Sequence, residues 1–212
     1  MSSQPLLEFQ TLTFERDDWP LFSDLSGAIK AGEILQITGP NGCGKTTLLH
    51  ILATIQPFNN GTLRWQGSDI SRCHEQYLVA MAFIGHKPGL KLSLTPRENL
   101  QWLAKLQPLT RCTSGEALAR IGLAGFEDVP CYTLSAGQLR RAALAALCMT
   151  QARLWLLDEP LTALDVQGIA DLEALLLAHV EKGGAVVLSS HQALANPAVR
   201  TLALDAIAKA EF

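Results

Sequence analysis

The chain has 212 residues, 48% of them hydrophobic and 17% charged, with a formal net charge of −3. That is enough apolar material for one full core, with or without a subdomain, and a slightly acidic balance with no Lys/Arg-rich block argues against nucleic acid as the main partner. No apolar run approaches the roughly 18 residues that span a bilayer, and residues 1–5 lack the basic and apolar regions of a signal peptide, so a soluble chain is expected.

In chain order, residues 7–38 hold short strand-like runs punctuated by Asp17, Asp18 and Pro20, which predicts an antiparallel edge sheet. Ile34 to Ile37 reads as a strand and Thr47 to Leu52 as a helix. Asn59, Asn60 and Gly61 mark a turn before a strand at Thr62 to Trp65. From about Arg97 to Gly125 the spacing becomes helical, with Leu100, Leu103, Ala104 and Leu106 on one face after Pro96 and Ala117, Leu118 and Ile121 on another. Leu154 to Leu157 and Ala185 to Leu188 are unbroken apolar runs, the pattern of parallel strands covered on both faces. Between them Val166 to Lys182 predicts an amphipathic helix, carrying Ile169, Leu172 and Leu176 and stopped by Gly183. The five cysteines are odd in number and form no C-x-x-C pair, which argues against a disulfide framework and a zinc site and fits a reducing compartment.

The chemistry sits where these elements end. Gly39, Pro40, Asn41, Gly42, Cys43, Gly44, Lys45 and Thr46 fit G-x-x-x-x-G-K-[ST] between a strand and a helix that continues through Thr47. Glycines let successive N–H groups face one anion, the helix start adds partial positive charge, Lys45 reaches the β- and γ-phosphates, and Thr46 offers a hydroxyl to Mg²⁺. Cys43 is expected to fill a position pointing away from phosphate. Asp158 and Glu159 follow one buried run, and Ser189, Ser190 and His191 follow the other. The carboxyl ends of parallel strands share one crevice, so these groups should meet a single ligand. Asp158 is placed for Mg²⁺, Glu159 for polarising the attacking water and His191 for the γ-phosphate. Taken alone, Asp158 and Glu159 before Pro160 also read as a solvated turn.

Ser135 and Gln138 have the S-x-x-Q spacing of a capping box and should open a helix running through Ala142 to Met149. With Leu134, Ala136 and Gly137 they form a pentapeptide that, alongside the phosphate loop, Trp155 to Glu159, Thr162 to Asp165 and His191, resembles the motif set of the ATP-binding cassette ATPases across nearly the whole chain. The resemblance implies an α/β fold: a P-loop NTPase (RecA-like) core with a mixed parallel sheet, an N-terminal antiparallel β subdomain and an inserted α-helical subdomain. The chain is then a single domain, with core residues 1–88 and 141–212 and a helical insert at about 89–140. It implies a head-to-tail homodimer that sandwiches two ATP molecules with Mg²⁺. Each ATP lies between the Lys45 loop of one copy and the Leu134-Ser135-Ala136-Gly137-Gln138 segment of the other, with catalysis assigned to Lys45, Glu159 and His191. Asp165 is placed at the dimer seam as the D-loop, and it also reads as N-cap of the helix beginning at Val166.

Two positions depart from the family pattern. His86 stands where a glutamine usually follows the strand, and we expect it to hold that Q-loop position and couple nucleotide state to the membrane partner. Arg16 stands near the expected adenine-stacking aromatic, with Phe14 and Trp19 as competitors. The opening at Glu15 to Asp17, Gln36 to Gly42, Ile84 to Gly89, Glu98 to Leu100 and Trp155 to Pro160 are similar to the ATP-binding subunits of the bacterial cytochrome c maturation system. That similarity implies integral membrane subunits, a peripheral place on the cytoplasmic face of the inner membrane, and haem or a haem chaperone handled by the complex rather than by this chain. An ATPase subunit of an exporter for a drug or lipid is the alternative.

Overall fold

The computed structural model describes residues 4–17, 19–106, 112–192, 194 and 199–204. Asp18 and the side chain of Leu106, both used above, lie outside the described set. The N-terminal hairpin β1 (Leu7–Arg16) and β2 (Trp19–Ile29) joins β4 (Asn60–Trp65) and β5 (Ser68–Asp69) in an antiparallel sheet ordered β2-β1-β4-β5. A second sheet holds β3 (Ile34–Thr38), β6 (Met81–Ile84), β7 (Leu154–Asp158), β8 (Ala185–Ser189) and β9 (Val199–Ala203). Its order is β6-β7-β8-β3-β9 and its ladders are parallel.

All five residues of β7 and of β8 are buried, as unbroken apolar strands require. The period of two divides them between layers. Leu154 and Leu156 join Leu35, Ile37 and Val187 against α1 (Lys45–Leu52) and the antiparallel sheet. Trp155 and Leu157 join Val186 and Leu188 against Leu144 and Leu147 of α5 (Ala136–Met149) and Leu172 and Leu176 of α6 (Val166–Glu181). Each such leucine contributes roughly 1.5–3 kcal/mol of burial, so the sheet is a rigid platform for whatever its strand ends carry.

A third cluster gathers Leu100 of α3 (Pro96–Leu106), Ala117 and Leu118 of α4 (Ser114–Arg120), and Ala142, Ala145, Cys148 and Met149 of α5. Because α5 also faces the parallel sheet, it packs against both the helical cluster and the strands. A short helix, α2 (His74–Ala80), precedes β6 and buries Tyr77, whose hydroxyl donates to Leu52 O at 2.5 Å. The five cysteines are free thiols, and burial pushes Cys148 up to about 11.

Two local readings change. The expected turn at Asn59 to Gly61 is already sheet from Asn60 onward, because Asn59 N donates to Thr13 O at 3.0 Å and Asn59 Oδ1 accepts from Glu15 N at 2.9 Å. The strand β9 was not anticipated from sequence: three of its five residues are exposed, and it exists by pairing with β3 at the sheet edge.

Candidate active site

The loop between β3 and α1 is built by close backbone approach. Gly39 has φ +144°, and a Cβ there would collide with Leu204 O just beyond β9 and with Cys43 Sγ, so no larger residue fits. Cys43 is 2% exposed and belongs to the core under the antiparallel sheet, pointing inward as expected. Gly44 occupies the N-cap of α1 in the left-handed conformation, and no side chain caps that helix. Lys45 Nζ curls over the loop, donating to Gly39 O at 2.9 Å and Pro40 O at 3.1 Å. An ammonium and an uncapped helix start therefore lie together on one loop, the electrostatic form of a phosphate cradle.

Beside that loop stand the ends of β7 and β8. Thr46 Oγ1 donates toward both carboxylate oxygens of Asp158, at 3.1 and 3.0 Å, so the hydroxyl and carboxylate meet although 112 residues separate them. Ser189, at the end of β8, donates its hydroxyl to Asp158 Oδ1 at 2.7 Å and accepts from Glu159 N at 2.9 Å. This serine orients both acids. Glu159 has φ +49°, a left-handed conformation unusual for a residue with a side chain. Its Oε1 is shut from solvent and lies 3.3 Å from His191 Nε2, near enough for an ion pair but off the direction of a hydrogen bond. His191 itself is half exposed.

Residues that the sequence did not single out support this arrangement. Gln36, a buried amide in β3, donates to Gln192 O at 2.8 Å and accepts from Leu194 N at 3.3 Å, tying down the segment that leaves His191. Arg140, also buried, donates to main-chain carbonyls at the ends of β6 and β7. Burial lowers its pKa, but a guanidinium remains charged. The only signal available in sequence was a polar residue inside an apolar run for Gln36 and a basic residue on an apolar helix for Arg140.

The Ser135–Gln138 segment opens α5 as expected. Ser135 Oγ accepts from Gln138 N at 3.2 Å and Gln138 Oε1 accepts from Ser135 N at 2.9 Å, a complete capping box. Ser135, Gly137, Gln138, Arg141, Ala163 and Asp165 line one open pocket of about 360 Å³. A Cβ on Gly137 would stand 2.7 Å from Ala163 O, so that position must stay small. Asp165 caps α6 through Gly168 N and pairs with Arg141; these two contacts hold its carboxyl below the usual range.

The two departures are placed differently. His86 lies exposed two residues beyond β6, its carbonyl 3.4 Å from Arg140 Nη1. Arg16 ends β1 opposite Trp19, and both are exposed. Phe14, one of the two competitors for adenine, is 8% exposed and packs on Phe22 at 6.2 Å, so its ring is core. The strand after Trp19 passes beside the cradle, since a Cβ on Gly44 would touch Leu21 and Phe22 at 3.0 and 3.1 Å.

Residues 22–162 match the family model described as ABC transporter, a span that contains the cradle, the capped start of α5, and Asp158 and Glu159 at the end of β7. The chain belongs to the ATP-binding cassette (ABC) transporter ATPases. This ABC ATPase is 46% identical over 205 residues to the Cytochrome c biogenesis ATP-binding export protein CcmA of Hahella chejuensis, covering 96% of this chain and 97% of that protein. It is 48% identical over 190 residues to the protein of that name from Yersinia pseudotuberculosis, covering 89% and 87%. Among solved structures, an ABC transporter ATP-binding protein from Pyrococcus furiosus superposes with a TM-score of 0.81 over 93% of this chain and 96% of that one at 24% identity, a likeness of fold. Among the described residues no helix is long and apolar enough to cross a membrane.

Proposed function

We propose that this chain hydrolyses Mg²⁺-bound ATP as a homodimer and so energises haem export, or release of a haem-loaded chaperone, in bacterial cytochrome c biogenesis. It would act peripherally, on integral membrane subunits at the cytoplasmic face of the inner membrane. The observation that carries hydrolysis is the meeting of the Lys45 cradle, Asp158, Glu159 and His191 at the carboxyl ends of β3, β7 and β8. The names of relatives 46–48% identical over most of their length support the biogenesis role.

Each residue then has a defined task. Lys45 and the loop's N–H groups hold the β- and γ-phosphates, exchanging the Gly39 and Pro40 carbonyls for phosphate oxygens. The hydroxyl of Thr46 and the carboxylate of Asp158 are hard oxygen donors already in contact, which fits Mg²⁺ bound by one or two protein oxygens plus phosphates; when bound, that ion would neutralise phosphate charge. Glu159 Oε1, shielded and without a hydrogen bond, is an acceptor awaiting a donor, and the attacking water supplies one. His191 Nε2 steadies the glutamate and faces the γ-phosphate. The Ser135 hydroxyl still has its proton to donate, to a phosphate held by the second copy. His86 links this centre to the membrane partner.

The test is Glu159→Gln in the full chain. Hydrolysis should fall about 10²- to 10⁴-fold with ATP binding retained, because the amide cannot take the proton. Unchanged hydrolysis would refute the reading. Tagged protein purified from membranes should carry integral membrane subunits, and cells bearing only the variant should lose covalent haem on periplasmic cytochrome c; normal haem attachment would reassign the cargo to another exporter substrate.

A further inference from the structure

Arg140 lies in the second turn of α5, 3% exposed, and among the described residues no acid side chain pairs with it directly. Its Nη2 donates to Asp158 O at 2.7 Å and its Nε to Pro160 O at 3.3 Å. Its Nη1 donates to Gly85 O at 2.8 Å, with His86 O further off at 3.4 Å. A buried guanidinium is costly to desolvate, and here its N–H groups are spent on main-chain carbonyls of two separate strand ends. The carbonyls of residues 158 and 160 flank Glu159, the residue held at φ +49°. A side-chain-bearing residue stays in that conformation only where its surroundings over-determine it. Ser189 Oγ grips the Glu159 N–H from one side, and Arg140 grips the neighbouring carbonyls from the other.

We propose that Arg140 is a positioning residue that holds Glu159 in its working backbone conformation and ties that conformation to the loop at His86 and to the start of α5. This rests on the reading of Glu159 as the base. The guanidinium fork joins three pieces by direct hydrogen bonds, adding to the β6–β7 ladder and the packing of α5 on both strands: the capped segment facing a second copy, the strand end of β6 and the base. A shift of α5 or of the His86 loop by the length of a hydrogen bond moves the carbonyls on either side of Glu159. Docking at either surface thereby reaches the chemistry without contacting nucleotide.

The test is a double-mutant cycle in the full chain, reading ATP turnover, nucleotide affinity and thermal midpoint. Arg140→Lys keeps the charge but not the fork; it should fold, bind ATP within about threefold of the parent and lose roughly 10²-fold in kcat, the scale of an ångström-level misplacement of a catalytic group. In a Glu159→Gln background the same substitution should lower the residual rate by less than about threefold, because a residue acting through the base has nothing left to position. If Arg140→Lys does not fold, Arg140→Gln is read by the same criteria. Unchanged kcat, a loss that multiplies fully with Glu159→Gln, or failure of both variants to fold would overturn the proposal. Hydrolysis that survives Glu159→Gln would instead overturn the assignment of the base.

Discussion

The starts of α1 and α5 are both helix N-termini beside the functional centre, and they meet their unsatisfied N–H groups in opposite ways. At α1 the cap residue is Gly44, which offers no side chain, and the ammonium of Lys45 is parked on carbonyls of its own loop. At α5, Ser135 and Gln138 cap each other completely. An uncapped helix start beside a lysine needs an external anion. A capped one is stable alone and offers an outside ligand only what its cap leaves over, here the hydroxyl proton of Ser135 and the bare approach at Gly137. On the proposed function, the phosphate site at Lys45 is thus unfinished without its ligand, whereas the second is a finished surface that a phosphate held by another copy would visit. A third start, at α6, is capped by the charge of Asp165 and shared with Arg141.

Removing the unfinished half should cost most. Lys45→Ala should lower turnover by at least about 10²-fold and weaken ATP binding in the isolated chain, since a preorganised charge in the cradle is lost; titration with a fluorescent ATP analogue checks it, and parental affinity would contradict the cradle assignment. The finished half divides more finely. Ser135→Asp retains a good N-cap, so the thermal midpoint should stay within a degree or two, while a carboxylate facing a phosphate should cut turnover about tenfold or more. Ser135→Ala removes the cap as well and should lower the midpoint by roughly 2–4 °C, about 1 kcal/mol in a chain of this size. Equal turnover in the aspartate variant and the parent would show that no phosphate meets this segment.

The smallest effect concerns Asp165. Gly168 N–H and Arg141 lower its folded pKa, so its stabilisation is present above the unfolded value of about 3.9 and is lost as pH falls through the lower, folded value. The carboxyl is largely exposed, so the effect is small. Urea midpoints of parent and Asp165→Asn should differ slightly at pH 7 and converge toward pH 3. A gap that does not shrink as the pH falls below about 4 would remove the charge from the explanation.

Much of the site was legible because its parts are local. The cradle is one strand, loop and helix; the α5 cap is two residues three apart; Asp165 caps the helix that starts beside it. The strand ends were legible too, because the two apolar runs before Asp158 and Ser189 had to lie buried and parallel. The pairings of Gln36, Ser189 and Arg140 were not, since their partners lie 156, 31 and 18 residues away and nothing in a single position announces such a pairing. The edge strand β9 was hidden for the same reason.

By itself, then, the sequence determined which segments turn, cap and bury, because backbone conformation, capping and hydrophobic period are decided within a few residues. Only the tertiary structure decided that Phe14 is core, that Thr46 and Asp158 touch, that Glu159 is held in a left-handed conformation, and that one buried guanidinium spans the ends of β6 and β7. Those outcomes follow from how distant elements pack and which carbonyls are left without partners, and both belong to the assembled sheet rather than to any stretch of the chain.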